Sequence, residues 1–358
     1  MSTVLYVLLA ILMLGVMIAV HEFGHYATAR LTGIPVREFA IGMGPKLLSR
    51  VSRKTGIRYS LRAVPLGGYC AFVGEDDPDA QAHEDKRAFS NQKLWKRLLT
   101  VLMGPVMNFI LAFAVMLGWL WIGGVTEIRS FDIGIANLTE GAPAAAAGMM
   151  EGDIIVRVNG EDVAGYDDIR AVADGFRSGD APVVFTVLRG EETVDLRIVP
   201  QYSEQEKRNL FGFTMQAVNI DSTVRTPGFW EGIRLGFDQC VYVGGTIFRA
   251  LGDLFRGQGL DQVAGPIGTV SIMTEQVRQY GADAALNLLV VISVNLGIMN
   301  LLPIPGLDGS RILFMLVEAV RGKPIPPEKE AIAHLAGFVL LIGLMVFLSV
   351  RDIGNLFR

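Results

Sequence analysis

The chain is predicted to be a polytopic α-helical membrane protein. It would have about four transmembrane helices, a membrane-associated β segment after the first, and an extracytoplasmic α+β domain inserted between the second and the third. Three observations predict this. Hydrophobic residues make up 51% of the 358 and the mean hydropathy is +0.40, too apolar for an ordinary soluble enzyme of this size. Four runs are long enough for a helix to cross a hydrocarbon layer, which takes about 20 residues: Val4 to Ala27, Leu98 to Val125, Ala284 to Leu307 with its continuation through Val320, and Ala331 to Val350. The long polar stretch between the second and third runs alternates strand-like and helix-like patterns instead.

The first run, Met1 to Val20, has no charged side chain and leads directly into HEFGH, His21 to His25. It lacks a basic flank before Arg30 and a small-residue cleavage site before the HEFGH, so it is expected to be retained as a span rather than removed as a signal peptide. From Arg30 to Arg62 there are eight Lys or Arg and one acid, Glu38, whereas Val125 to Asp283 carries 13 basic and 23 acidic residues. The positive-inside rule places the Arg30 to Arg62 side in the cytoplasm and the long acidic loop outside. Cys70 and Cys240 then lie on opposite sides and cannot pair. A net charge of −4, without a basic cluster interleaved with aromatics, offers nothing to nucleic acid.

Gly33 to Gly74 is punctuated by turn residues, and Ile57, Tyr59 and Leu61 alternate with polar neighbours, so short strands joined by hairpins are expected. The segment is either a small cap over the helix ends or a sheet edge that receives an extended peptide by strand addition. The acidic stretch EDDPDAQAHED after it is expected to be solvated. In the outer loop, residues 142–163 (APAAAAGMMEGDIIVRVNGEDV) are followed by a helical patch at Asp167 to Phe176 and strands at Pro182 to Arg189 and Thr193 to Val199. A small-residue helix, a Gly-Asp turn and an Asn-Gly hairpin in that order resemble a PDZ domain of the bacterial protease type, with Ile133, Gly134 and Ile135 as candidates for its peptide groove. Apolar residues from Trp230 to Leu254 recur at helical spacing, which predicts an amphipathic helix lying on the membrane surface or packed on the inserted domain. The domains are thus 1–125, 126–200, 201–283 and 284–358.

His21 and His25 are one helical turn apart and can share an ion, and Glu22 is placed to hold a water beside it. Ionisable groups at membrane depth are costly unless paired, so a purely structural role for three of them is disfavoured. A catalytic zinc takes three protein ligands and keeps one position open. His83, His334, Cys70, Cys240 and the carboxylates are the remaining donors. Asp308 stands out because it ends an apolar run at NLLPIPGLDG, where Pro303 and Pro305 forbid regular helix; Glu318 is the alternative. Gly104, Pro105 and Asn108 in the second run provide close packing or a bend near the site.

The HExxH in the first span, the PDZ-like module and N-x-x-P-x-P-x-L-D-G in the penultimate span together resemble the site-2 intramembrane metalloproteases, in the regulator-of-sigma-E branch with a single PDZ domain. The resemblance covers essentially the whole chain. It implies a Zn2+ cofactor held by His21, His25 and Asp308, with Glu22 as the catalytic base and Asn295 and Asn300 contacting substrate. It further implies a location in the bacterial plasma (inner) membrane with the PDZ module outside, and single-span substrates such as anti-sigma factors already trimmed outside, or remnant signal peptides. Ser310 departs from the family's second Gly after Asp-Gly and would be strained if that position required positive φ. Two other functions compete: a zinc transporter, which needs neither Glu22 nor a PDZ module, and a catalytically inactive membrane scaffold that uses only the PDZ module.

Overall fold

The computed structural model describes residues 3–75, 85–204, 206–259, 263–323 and 325–356. Most of the acidic stretch, including His83, lies outside them. The chain divides into two compact units, one formed by Met1–Gly123 with Pro227–Arg358 and the other by Gly124–Thr226.

In the first unit α1 (Thr3–Thr32), α2 (Leu94–Gly123), and two later helices, Pro266–Leu301 and Pro327–Leu356, contain the four candidate spans. Their outward side chains are large and apolar, as at Leu12, Leu340 and Phe347, the pattern of helices surrounded by hydrocarbon rather than water. Between α1 and α2 the chain forms β1 (Val36–Val51) and β2 (Arg58–Phe72), each bent into shorter paired stretches as its turn residues predict. Their register doubles back. Glu38 to Ile41 pair with Gly68 to Ala71 on one side and with Arg58 to Leu61 on the other, while Lys46 to Val51 pair with Arg58 to Arg62. Glu38 is buried within this sheet and accepts a hydrogen bond from Ser60 at 2.6 Å and one from Arg62 at 3.1 Å.

The second unit holds a sheet built from β3 (Val125–Leu138), β4 (Ile154–Val158), β5 (Glu161–Asp162), β6 (Val183–Arg189), β7 (Glu192–Ile198) and β10 (Phe213–Arg225). The order is β10-β3-β4-β6-β7, with β5 paired to β4. Two helices, α3 (Pro143–Ala146) and α4 (Tyr166–Gly175), accompany it, and a small hairpin of β8 (Gln201–Ser203) and β9 (Arg208–Leu210) precedes β10. Asn159 and Gly160 both adopt positive φ, +55° and +85°, the two-residue hairpin geometry for which Asn-Gly is the favoured pair. Ile133, Ile135, Ile155, Phe185 and Ile198 form the core. The expectation that Ile133, Gly134 and Ile135 line an open peptide groove is therefore corrected. Ile133 and Ile135 are core residues, and β3 is hydrogen-bonded on both sides, leaving no free edge there for an added strand. The unit also extends to Thr226, because β10 pairs with β3 along most of its length.

Back in the first unit, α5 (Phe229–Phe255) is helical as expected, and it packs on α2 and on the following helix, α6 (Pro266–Leu301). Its inward stripe is Gly232, Gly236, Cys240, Val243, Ile247 and Leu251, whereas Trp230 and Phe237 point outward. Counting large apolar residues missed this because the close approach to Trp121 and Leu117 is made by glycines. The α6 helix is kinked at Gly281, with φ +71° and ψ −144°, so the third apolar run begins just after the kink. It ends at Leu301, and the prolines force the expected bend before α7 (Asp308–Arg321) and α8 (Pro327–Leu356).

Candidate metal centre

The local sequence dictates where each donor sits. On α1 the spacing of four residues puts both imidazoles on one face. On α7 Asp308 is the first helical residue, delivered there because Pro303 and Pro305 stop α6 and Leu307 caps the new helix in an extended conformation. Ser310 is not strained. It is absent from the positive-φ residues, lies in the first turn of α7, and its hydroxyl donates to Leu307 O at 2.8 Å.

These elements bring His21 Nε2 and His25 Nε2 each to 3.2 Å from Asp308 Oδ2 and to 3.3 Å from one another. Donor atoms bound tetrahedrally at about 2.0–2.1 Å from one ion lie about 3.3 Å apart. The three side chains thus have the separations of ligands around a common centre. Asp308 Oδ2 is buried without a hydrogen-bond partner, an orphaned acceptor that a cation satisfies. Two imidazoles and one carboxylate are also a donor set that suits zinc, so the residues present fit that ion.

A second layer orients the rings. The Nδ1–H of His25 donates to Thr100 O of α2 at 2.9 Å, which frees Nε2 for the centre. His21 Nδ1 lies 3.3 Å from Asn108 Nδ2, also on α2. The close approach of α2 depends on glycine: a Cβ on Gly104 would overlap the His25 ring. Glu22 is buried beside His21 under β2, where an added Cβ on Gly68 would come within 2.9 Å of the Glu22 Cγ.

A cavity of about 840 Å³ includes this centre and is lined by His21, Glu22, His25, Asp308, Asn108 and the β2 segment Gly67–Phe72, among others. Asn300 lines it; Asn295, one and a half turns earlier on α6, is not among its lining residues. Glu318, the alternative ligand, is engaged elsewhere by Arg97, whose Nη1 is 3.0 Å from both of its carboxylate oxygens. His334 lines the cavity and accepts the Gly306 N–H at 3.4 Å, a support for the bend before Asp308. Cys70 lines it as well, but burial, with the Glu22 charge nearby, pushes its thiol up, which keeps it a neutral group. Cys240 packs against α2 and α6 instead.

Sequence reasoning missed the Thr100 carbonyl and the ion pair of Arg311 with Glu75 at 2.7 Å, both reaching residues that line the cavity. A backbone acceptor has no signature in residue type. The arginine one turn after Asp308 was a visible signal.

The family model of peptidase family M50 matches residues 9–344. A protein of Agrobacterium fabrum named "putative zinc metalloprotease" is 35% identical over 375 residues, 98% of this chain and 96% of that protein. One of the same name in Clostridium acetobutylicum is 33% identical over 97% of each chain. A "probable protease eep" of Enterococcus faecalis is 31% identical over 97% of this chain and 98% of its own length. A solved PDZ domain of HtrA3 aligns with 22% of the chain at 18% identity and a TM-score of 0.17, which carries no argument about the second unit.

Proposed function

The chain belongs to peptidase family M50, and on that premise we propose that it is a zinc-dependent intramembrane endopeptidase whose substrates are the membrane-spanning segments of single-span proteins. Anti-sigma factors trimmed outside beforehand and remnant signal peptides are the substrate classes. The observation that carries the reading is the triangle of His21 Nε2, His25 Nε2 and Asp308 Oδ2, with sides of 3.2, 3.2 and 3.3 Å, in a protein whose HExxH lies on a helix long and apolar enough to cross a membrane.

His21, His25 and Asp308 hold the zinc, which when bound supplies Lewis acidity toward a peptide carbonyl and toward water. Glu22 accepts the proton of the water that attacks the carbonyl carbon and returns it to the departing amide nitrogen. Its burial beneath β2 keeps bulk water from competing for that carboxylate. A peptide bond in a helix is shielded and internally hydrogen-bonded, so the substrate must unwind. The Gly67–Phe72 part of β2 lines the cavity and offers strand pairing to the unwound segment, and the Asn300 amide offers a further partner. Asn295 has no such support and remains assigned to substrate contact by resemblance alone.

We read the Gly124–Thr226 unit as the PDZ module, supported by its small-residue helix, its Asn-Gly hairpin and its antiparallel sheet. Loop charges support a multi-pass orientation in the bacterial plasma membrane with that unit outside. The test is incubation of purified full-length protein with a membrane-spanning peptide, with and without a zinc chelator. Chelator-sensitive cleavage inside the span supports the reading. Bound zinc without cleavage points to a scaffold, and zinc flux in liposomes to a transporter.

A further inference from the structure

The environment of His21 contains a contradiction that points to a role for Asn108. His21 Nε2 faces His25 and Asp308 and is the nitrogen directed at the centre. A metal-binding nitrogen must be bare, so in the neutral ring the proton sits on Nδ1. Yet the atom 3.3 Å from Nδ1 is Asn108 Nδ2, another donor, and two N–H groups facing each other make no hydrogen bond. Meanwhile Asn108 is fully buried and its Oδ1 has no partner. Turning the amide by 180° removes the clash of donors. Oδ1 then accepts the Nδ1–H of His21 and gains the partner it lacked.

We propose that Asn108 is a positioning residue of the metal centre: its amide oxygen accepts the His21 Nδ1–H and so fixes the tautomer that binds the metal. The inference rests on the metallopeptidase reading above. Two further observations support it. Asn108 is held in place from α6, because Ser293 Oγ donates to its backbone carbonyl at 2.8 Å. And the second histidine is already oriented from the same helix, by Thr100 O, so α2 supplies an acceptor to each ring, one from the backbone and one from a side chain.

The experiment uses full-length protein in detergent, with zinc dissociation constants from chelator competition and turnover of a membrane-spanning peptide at saturating zinc. Asn108→Leu removes the acceptor and is expected to weaken zinc binding about 10–100-fold. Asn108→Asp keeps an acceptor of nearly the same shape and should hold zinc at least as tightly as the parent. The near-isosteric Asp variant keeps the question answerable if the Leu variant does not fold. Zinc affinity unchanged in Asn108→Leu overturns the tautomer role, and so does zinc affinity lost in Asn108→Asp, since that variant keeps the acceptor. Absence of zinc binding in the parent overturns the metallopeptidase reading itself, and this inference with it.

Discussion

Replacing Gly104 with alanine isolates the geometry of the metal centre from the stability of the fold. Ala is the better helix former, by about 1 kcal/mol in a helix interior, so α2 as an isolated element gains from the change. In the folded protein the new methyl would overlap Cε1 and Nε2 of the His25 ring, with Cδ2 at 2.9 Å. The ring cannot retreat while its Nδ1–H stays on Thr100 O, so either that bond or the position of Nε2 is lost. Relief of such an overlap takes a displacement of about 1 Å, several times the ~0.2 Å tolerance of metal–ligand distances. A misplacement of that size costs about 100-fold in rate, and overpacking costs about 1–3 kcal/mol, which offsets the helical gain. The assay compares Gly104→Ala with Gly118→Ala, a change on the same helix where an added Cβ meets nothing within 4 Å. Zinc stoichiometry, peptide turnover and thermal midpoint are measured for both. Gly118→Ala should match the parent in all three or be slightly more stable, whereas Gly104→Ala should lose turnover and zinc with little change in midpoint. A Gly104→Ala protein with parental zinc content and turnover would refute the claim that α2 seats the His25 ring.

Glu22→Gln should retain zinc, because the three ligands are untouched, and lose turnover, because an amide accepts no proton; full activity would rule Glu22 out as the base. Asp308→Asn removes the centre's anionic ligand and should lower zinc content on dialysis, with metal analysis as the readout. Excising Gly124–Thr226 behind a short Gly/Ser bridge should leave cleavage of a trimmed substrate nearly unchanged and admit an untrimmed one, since no centre residue lies in that unit. Loss of both cleavages with zinc and folding intact would make the unit a required docking site. Within that unit, burial works to raise the Asp153 carboxyl, but the Arg189 guanidinium, at 2.7 Å, and the Met150 N–H overcome it and hold the group below its ordinary value. The stability it contributes is therefore fully present above the unfolded value near 3.9 and is lost as pH falls through the lower folded value. Arg189→Ala should destabilise the unit, because it leaves the buried Asp153 carboxylate without its guanidinium partner. Hydrogen exchange of peptides covering residues 150–190 reads both effects, and unchanged protection in the variant would show the pair to be idle.

Local periodicity and motif chemistry determined much of this protein before any contact was known. Four apolar runs of helical length, the Asn159-Gly160 hairpin and the strands at 183–189 and 192–198 were all legible, because each depends on residues close together in the chain. The pairing of His21 with His25 was legible for the same reason, one helical turn being a local distance. Asp308 could be suspected from its prolines and from family resemblance, yet residue type alone left Glu318 in contention. What separates them is tertiary: Arg97 lies against Glu318, and both histidines lie against Asp308. The same limit applied to α5, whose contacts run through Gly232 and Gly236, and to β3, whose apolar residues look alike whether they border a groove or fill a core. The orientation of each imidazole was further still from the sequence. It is set by a backbone carbonyl and a single amide on α2, 75 and 87 residues away, and hydrogen bonds of that span follow from how helices pack rather than from which residues neighbour one another along the chain.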